Sequence, residues 1–408
     1  MTLFKGLMGL TFGLALSAST ALAGTLVLNS DQSDPAPKKA MEGLIAGFEK
    51  ANPDIKVKWN NFDHEGYKAA IRNFLTADAP DVAAWYAGNR MAPFVKAGLF
   101  EDVSDVWKAN GLDDSLKSAA ASMTMDGKKW GVPYTYYQWG IYYNKDLYKK
   151  AGVTEPKTWA DFVANCAKFK AIGVDCLTTG DKGGWPAAGI FDYLDMRTNG
   201  YEFHMDLTAG RVKWTDPKVK AVFAEWAKVV PFMTANATAI DWQDAAALMA
   251  QGKAANYVMG NFSVATFKQG GMTNDNLGFL IFPEITKGIP RAEEAPTDTF
   301  HIPSGAKNKA DAKKFLAYLA SPDAQTEMNA VLGQLPVNNK AKAADDPFIK
   351  AGFEELSSAY ALAQFFDRDA PADMAKAGMD GFQEFIGDPS KIDAILEKLQ
   401  KVADKVYK

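Results

Sequence analysis

The sequence predicts an α/β protein built as two lobes that are joined by short crossovers. Strand and helix patterns alternate from residue 25 to about residue 96, the same alternation begins again near residue 158, and no long linker separates the two runs. Strand–helix repetition builds parallel sheets that helices cover on both faces. At ~100–200 residues per domain, the 408 residues of the chain correspond to two domains or one large one.

Residues 1–23 are expected to be a secretory signal peptide. Lys5 precedes a short apolar stretch, Leu7–Leu16, and the small-residue site Ala21-Leu22-Ala23 follows it. An N-terminal membrane anchor is the alternative, but the apolar stretch is too short to span a bilayer. No cysteine follows the predicted cleavage site. We therefore expect an exported protein without a lipid anchor, which favours the periplasm of a Gram-negative cell.

The first α/β run contains three predicted strands and three predicted helices. Apolar spacing marks the strands and one face of each of the two longer helices. The strands are 25–29, 55–59 and 81–85, the helix faces are Met41, Leu44, Ile45 and Phe48, then Tyr67, Ala70, Ile71, Phe74 and Leu75, and a short helix covers about 91–96.

The second run and the C-terminal part are more helical. Helices are predicted near 158–171, 187–198, 216–229, 241–251, 309–320, 322–331, 371–385 and 389–406, and strands near 174–178, 254–258 and 277–282. Pro and Gly punctuate three candidate crossovers, 131–137, 283–288 and 335–339. The predicted N-terminal lobe is therefore 24–133 with about 284–335, and the predicted C-terminal lobe is 134–283 with about 336–408.

The two cysteines, Cys166 and Cys176, lie on a predicted helix and on the strand that follows it. They fall at similar heights on these neighbouring elements, and a disulfide is plausible in an oxidising compartment. Two buried free thiols remain the alternative, because a helix–sheet spacing of ~10 Å strains the bridge.

Composition and motifs argue against several classes of function. The formal net charge of −4 gives no basic excess for nucleic acid. The sequence has no nucleophile elbow, P-loop, zincin or dinucleotide-binding motif, and its three histidines are far apart, so we expect no enzyme, metal or cofactor. A secreted glycosidase would need two opposed carboxylates, but with 49 Asp and Glu some pair always exists and carries no signal.

Polar and aromatic residues collect just beyond the predicted strands of the first run. Ligands of open α/β sheets bind beyond the carboxyl ends of the strands. Carboxylate, amide and imidazole groups hydrogen-bond hydroxyl groups, and aromatic faces pack on the C–H faces of a pyranose. These residues therefore indicate a pocket for a polyol, and the candidate ligand contacts are Asp31, Gln32, Asp63, His64, Trp85, Tyr86 and Gly88.

Seven aromatic residues crowd the stretch from Trp130 to Tyr143, more than one strand or helix needs. We expect Trp130, Tyr142, Tyr143 and the nearby Tyr148 to pack the lobe. We expect Tyr136, Tyr137 and Trp139, which lie at or beside the first crossover, to face the cleft. Trp185, in the loop GDKGGWP, and Trp242, at a helix start, are further candidates for stacking on a sugar.

Several segments together resemble the extracellular solute-binding proteins of bacterial ABC transporters, carbohydrate-binding group. They are GFEKANPDIKVKW (47–59), APDVAAWYAGNRMAPFVKAGLFEDVS (79–104), the stretch 127–173, LMAQGKAANYVMGNF (248–262) and IPSGAKNKADAKKFLAYLASPDAQTEM (302–328). Their order and spacing match over nearly the whole chain after residue 23. The resemblance implies two α/β lobes that close on a ligand and are then recognised by a membrane permease.

The resemblance also implies particular contacts. Trp85 matches an aromatic residue that often ends the strand after the Pro-Asp pair, and Asp31 and Gln32 match the polar turn after the first strand. Where a family member has an acidic residue after that tryptophan, this chain has Tyr86-Ala87-Gly88, so that contact is lost or moved.

Three further positions are carried over in the same way. Counting back from Asp146 places Tyr136 at an acidic ligand position of the first crossover. Gly260 and Phe262 stand where Gly-x-Trp is common, and Phe366 and Arg368 fall where a C-terminal aromatic residue and an arginine reach the cleft.

The resulting hypothesis is a periplasmic, monomeric binding subunit of an ABC importer that captures a carbohydrate and performs no chemistry. Few acidic residues and an available Arg368 would suit a monosaccharide, a glycoside or an anionic sugar derivative. The alternatives are a non-sugar ligand such as a polyamine, which would need an acidic and aromatic box, and a secreted glycosidase.

Overall fold

Strands and helices alternate from the first described residue onward. The computed structural model describes residues 24–408, and the predicted signal peptide lies outside the described residues. The strands are β1 (Gly24–Ser30), β2 (Ile55–Asn61), β3 (Val82–Tyr86), β4 (Thr124–Met125), β5 (Lys128–Lys129), β6 (Val132–Tyr136), β7 (Trp139–Asn144), β8 (Asp175–Thr178), β9 (Ala254–Gly260), β10 (Leu277–Leu280), β11 (Ala292–Glu294), β12 (Thr297–His301), β13 (Leu335–Pro336) and β14 (Ala361–Ala363).

Helices cover both sheets and make up most of the C-terminal third. They are α1 (Pro35–Ala51), α2 (His64–Thr76), α3 (Ala92–Lys96), α4 (Ser104–Asn110), α5 (Leu112–Ser115), α6 (Lys145–Ala151), α7 (Trp159–Ala171), α8 (Trp185–Thr198), α9 (Tyr201–Thr208), α10 (Pro217–Ala227), α11 (Trp242–Ala250), α12 (Ser263–Gln269), α13 (Lys309–Leu319), α14 (Pro322–Leu332), α15 (Pro347–Ser357), α16 (Phe366–Asp369), α17 (Ala372–Gly387) and α18 (Ile392–Val406). Every helix predicted from the sequence is present, while α4, α5, α6, α9, α12, α15 and α16 were not predicted.

The first sheet has six strands in the order β13-β6-β12-β3-β1-β2. Its strands β1, β2 and β3 are parallel, as the strand–helix alternation predicts. The rest of the sheet lies outside that run and is antiparallel, because β12 pairs antiparallel with both β3 and β6. The strand β12 returns to this sheet after the chain has passed through the second lobe. Strands that a helix connects directly are usually parallel, but no such connection joins β12 to its neighbours.

The second sheet has four strands in the order β10-β7-β9-β8. Two hydrophobic cores accompany the two sheets. The first core draws its buried residues from 26–134 and 300–337, and the second draws them from 137–292 and 348–403. The chain is thus divided between two α/β units that each contain segments distant in sequence, although the lobe boundaries given above stay predictions.

The crossovers between the two units differ in part from the predicted ones. The strand β6 stays in the first sheet through Tyr136, and β7 begins in the second sheet at Trp139, so the first crossover is the dipeptide Tyr137-Gln138. The segment 283–288 does not cross, because Glu284 bridges Thr158 of the second unit. The second crossing instead runs through β11, which pairs in parallel with β14. The third crossing lies between Val337, in the first core, and Phe348, in the second, so it follows the predicted segment 335–339 closely.

A buried ion-pair network holds β11 at this crossing. The guanidinium of Arg197, on α8, donates to Oε1 of Glu293 at 2.7 Å, and Arg291 donates to the same oxygen at 2.6 Å. Arg197 also donates to the carbonyl oxygens of Phe282 and Ala292. Because a buried carboxylate needs charged or hydrogen-bonding partners, this arginine is what permits Glu293 to lie fully buried beside the crossover.

Two further features concern the second unit and the chain as a whole. The structure joins Cys166 of α7 to Cys176 of β8 in a buried disulfide with an S–S distance of 2.06 Å. Within residues 24–408, no helix combines the length and the hydrophobicity that a membrane span requires.

Candidate functional site

A cavity of about 270 Å³ lies where the two units face each other. One wall comes from the ends of β1, β3 and β12 in the first sheet. The other comes from the first crossover, the turn after β9, and the first residues of α8 and α11. The cleft runs along the edges at which the strands stop and the chain turns. Ligands of α/β proteins bind at such edges.

The first wall is polar and centres on Asp31, which is 9% exposed. Its Oδ2 lies 2.8 Å from Nδ1 of His64 and accepts a hydrogen bond from the hydroxyl of Tyr86 at 3.0 Å. The amide of Gln32 donates to Oδ1 of Asp31 at 3.1 Å. Burial by itself would raise the pKa of Asp31, but the hydrogen bonds and charge of His64, with help from Tyr86, lower it, so the carboxylate is ionised and able to accept further hydrogen bonds.

Arg368 reaches the same wall from α16 and is 7% exposed. Its Nη2 donates to Oδ1 of Asp298 at 3.0 Å and to the hydroxyl of Tyr137 at 3.3 Å, while Nη1 donates to the carbonyl oxygen of Thr297 at 3.0 Å. The guanidinium carbon lies 4.4 Å from the ring centre of Tyr86, at cation–π distance. The expectation of an available Arg368 is wrong, because its charge is already paired.

The second wall is aromatic and centres on Phe262, whose ring is partly exposed. Its ring meets Trp242 edge to face at 5.2 Å between centroids and Tyr137 at 5.4 Å. Trp185 lies 6.0 Å from Phe262, and Trp139 lies 6.2 Å from it. Such a cluster offers flat apolar surfaces with positive ring edges. The cavity therefore presents hydrogen-bonding groups on one side and aromatic faces on the other.

Four aspartates line the cavity, more than the sequence analysis expected, and each has a partner. Besides Asp31 and Asp298, they are Asp34, which accepts a hydrogen bond from Gln243 at 3.2 Å, and Asp367, which lies 3.7 Å from Arg90. Burial would raise the pKa of Asp367, but Arg90 and then Lys68 lower it. The Asp34–Gln243 hydrogen bond joins the start of α1 to the start of α11 across the cleft.

Most residues named from the sequence line this cavity. They are Asp31, Gln32, His64, Trp85, Tyr86, Tyr137, Trp139, Trp185, Trp242, Phe262 and Arg368. Trp85 is 5% exposed and packs on Tyr67 and Phe94 while its Nε1 donates to the carbonyl oxygen of Arg90, so it belongs to the core as well as to the wall.

Two residues of the polar strand ends have structural roles and lie outside the cavity lining. Asp63 caps α2, since its Oδ1 accepts a hydrogen bond from the backbone N–H of Gly66 at 2.8 Å. Gly88 adopts a φ of +65°, which glycine tolerates best. A Cβ at this position would stand 3.3 Å from the carbonyl oxygen of Arg368, so Gly88 allows the chain to turn close to α16.

Three of the positions carried over from the resemblance are likewise not among the residues that line the cavity. Tyr136 is the last residue of β6 and pairs with Leu335 of β13, which leaves its neighbour Tyr137 in the cavity. Phe366 is fully buried against Phe191 and Phe382, because its neighbour Phe365 takes the cavity position.

The third of these positions is Gly260, whose backbone supports the aromatic wall without lining the cavity. A Cβ there would stand 2.5 Å from Phe262 and 2.8 Å from Nε1 of Trp139, a distance that packed atoms do not reach. The glycine therefore leaves room for the two rings.

Sequence reasoning did not include several lining residues among its site candidates. They include Asp34, Lys68, Gln243, Asp298, Phe365 and Asp367. Three of them adjoin residues that were named, and one of the three, Phe365, takes the cavity position expected for Phe366. Asp298 had no such signal, because its strand comes to this sheet from far along the chain. Among residues 24–408, no cluster of His, Cys, Asp and Glu is arranged to hold a metal ion.

Comparison with known proteins adds to this geometry. The sequence profile of the bacterial extracellular solute-binding proteins matches residues 32–326. A probable sugar-binding periplasmic protein of Mesorhizobium japonicum is 28% identical, over 95% of this chain and 98% of its own length. An uncharacterised ABC transporter extracellular-binding protein of Pyrococcus horikoshii is 29% identical, over 79% of this chain and 74% of its own length.

A solved structure is similar over nearly the whole fold. The bacterial solute receptor AcbH, described as having an exclusive preference for β-D-galactopyranose, superposes with a TM-score of 0.88 at 30% identity and covers 95% of this chain and 100% of its own. The predicted two-lobed α/β fold is confirmed by this likeness. Because the family profile matches far more than half of the chain, this protein belongs to the bacterial extracellular solute-binding proteins.

Proposed function

We propose that the protein captures a small carbohydrate in the cleft and delivers it to the permease of an ABC importer. The observation that carries this proposal is the division of the cavity into a polar wall around Asp31 and an aromatic wall around Phe262. A pyranose has the matching surfaces, since its rim carries hydroxyl groups and its two faces carry C–H groups.

The size of the cavity favours a mono- or disaccharide. Its volume of about 270 Å³ lies just below the ~300–1,000 Å³ that is usual for sites of drug-sized ligands. The preference of the similar receptor AcbH for β-D-galactopyranose supports a ligand of the same size class, and makes D-galactose a reasonable first probe.

Closure of the lobes is the second part of the proposal. The polar and aromatic walls belong to different sheets, so a ligand that contacts both favours the closed arrangement, as differential affinity requires. The hydrogen bond from Gln243 to Asp34 spans the cleft at 3.2 Å and adds to the stability of the closed form. The short crossovers would serve as hinges, and the permease would recognise the closed form.

A thermal-shift screen of the protein without residues 1–23, the predicted signal peptide, tests this proposal. The panel contains neutral mono- and disaccharides, their acids and phosphates, and polyamines. A ligand at ~100 times its Kd stabilises the folded state by ~2.7 kcal/mol, so a bound sugar will raise the melting temperature measurably. A response to polyamines alone would contradict a sugar ligand. Chromatography of the recovered sugar should show it unchanged, and hydrolysis products would contradict a pure binding role.

A further inference from the structure

Asp298 lines the cavity beside Arg368. It lies on β12 directly opposite Tyr86 of β3 in the antiparallel register. Its side chain is 20% exposed, and Oδ1 accepts the hydrogen bond from Nη2 of Arg368 at 3.0 Å. The carboxylate is therefore fixed by the strand on one side and by the arginine on the other.

Arg368 has little capacity left for a ligand. Its three hydrogen bonds engage Asp298, Tyr137 and the backbone of Thr297, and the ring of Tyr86 covers its face. A carboxylate or phosphate binds an arginine best through two parallel N–H donors. Here Nη2 of Arg368 already donates to Asp298, and Nη1 already donates to the carbonyl oxygen of Thr297. An anionic ligand would have to displace these acceptors.

The other basic side chains near the cavity are engaged as well. Nζ of Lys68 lies 3.3 Å from Oε1 of Glu65, and His64 lies 2.8 Å from Oδ2 of Asp31. Formally, the lining aspartates Asp31, Asp34, Asp298 and Asp367 outnumber Lys68 and Arg368 by two, 4 − 2. An anion entering this space would lose its hydration and meet carboxylates, which is unfavourable on both counts.

We propose that Asp298 is a specificity-determining residue that makes this cleft reject anionic sugars, such as uronic acids and sugar phosphates, and accept uncharged ones. This inference rests on the proposed binding of a sugar. Specificity of this kind comes from an unfavourable interaction with the wrong ligand as much as from favourable contacts with the right one. It replaces the expectation that Arg368 would suit an anionic derivative.

Matched pairs of ligands test the inference, because D-galactose and D-galacturonate differ only at C6, as do D-glucose and D-glucuronate. Calorimetric titration of the wild-type protein should show the uncharged member of the responding pair binding at least about tenfold more tightly, a difference of ~1.4 kcal/mol. In Asp298→Asn, Arg368 loses its ionic partner and becomes available, so the uronate should gain affinity and the ratio should fall about tenfold or more.

Asp298→Glu is the charge-retaining control and should keep the preference for the uncharged sugar. Melting temperatures of both variants check that they fold. If a variant does not fold, the ratio of the two affinities in the wild-type protein still tests the inference. A wild-type protein that binds the uronate as well as the sugar would overturn the inference and leave sugar binding intact. A folded Asp298→Asn protein with the same ratio of sugar to uronate affinity as the wild type would also overturn the inference and leave sugar binding intact. Binding of neither member of either pair, with no response to any other sugar, would contradict the proposed function itself.

Discussion

Nδ1 of His64 lies 2.8 Å from Oδ2 of Asp31, although the two residues are 33 positions apart in the sequence, 64 − 31. They follow the neighbouring parallel strands β1 and β2, which run in register from Gly24 opposite Ile55 to Ser30 opposite Asn61. Parallel strands deliver their carboxyl ends to one edge of a sheet. The pair thus anchors the polar wall of the cavity and is fixed by the sheet itself.

Phe262→Ala should weaken sugar binding while leaving the fold nearly intact. The ring of Phe262 is partly exposed at the centre of the aromatic wall, so its removal deletes an apolar surface that a sugar would cover. Truncation of such an aromatic hot spot costs ~2 kcal/mol or more, about thirtyfold in Kd. Calorimetric titration measures this change, and Phe353→Ala is the matched control, because Phe353 is 58% exposed and lies outside the cavity lining. Equal effects of the two substitutions would contradict a ligand at the aromatic wall.

Trp85→Ala should lower the stability of the fold itself, because Trp85 is a core residue that also lines the cavity. Loss of its contacts with Tyr67, Tyr86 and Phe94 leaves a cavity in the first core, at a cost of ~3–5 kcal/mol of unfolding free energy. Urea denaturation of the ligand-free protein measures the cost. Weak sugar binding together with a stability equal to that of the wild type would show that Trp85 acts only as a ligand contact.

Arg197→Leu should strongly destabilise the protein because Glu293 would be left with Arg291 alone in a fully buried position. Removing one partner of a buried ion pair costs ~3–5 kcal/mol. Arg211→Leu is the control, since the Arg211–Asp206 pair is 63% and 45% exposed and such pairs contribute ~0–1 kcal/mol. Denaturation midpoints compare the two. Similar small losses in both variants would mean that the network at β11 does not stabilise the crossover.

The stability of Asp181→Asn relative to the wild type should increase as the pH rises. Burial raises the pKa of Asp181 to about 7, because only Oδ1 has a donor, the backbone N–H of Ala187 at 2.7 Å, and Oδ2 has none. The folded state therefore holds a proton that the unfolded state releases near pH 4, and this contribution to stability is lost as the pH rises from about 4 to about 7.

Asparagine keeps an acceptor for Ala187 without this pH dependence. The difference in unfolding free energy between Asp181→Asn and the wild type should increase by about 2 kcal/mol between pH 5 and pH 7. Equilibrium denaturation at the two pH values provides the comparison. A difference that does not change with pH would show that Asp181 is ionised in the folded protein.

Local patterns in the sequence predicted most of the longer helices and much of the polar wall. The apolar face of α1 indeed buries Met41, Leu44 and Phe48, and Asp31 and His64 meet because strand ends of a parallel sheet converge. Such features depend only on periodicity and on the direction of neighbouring strands, and both can be inferred from the sequence.

Features that depend on long-range pairing could not be predicted in this way. Asp298 enters the site on an antiparallel strand that returns from the other lobe, and nothing nearby in the sequence indicates that it pairs with Arg368. The one-residue errors at Tyr136 and Phe366 have a related cause. Neighbouring residues at the end of a strand or at the start of a short helix point in different directions, so register decides which of the two faces the cavity.

Isothermal calorimetric titration of the wild-type protein with neutral sugars, D-galactose first, tests the central claim most directly. We expect saturable binding of at least one of them with a stoichiometry of one sugar per chain, because the polar and the aromatic wall face each other across one cavity. Binding should weaken in Phe262→Ala. Absence of binding heat for every neutral mono- and disaccharide tested, with a folded protein, would contradict the assignment of this cleft as a sugar site.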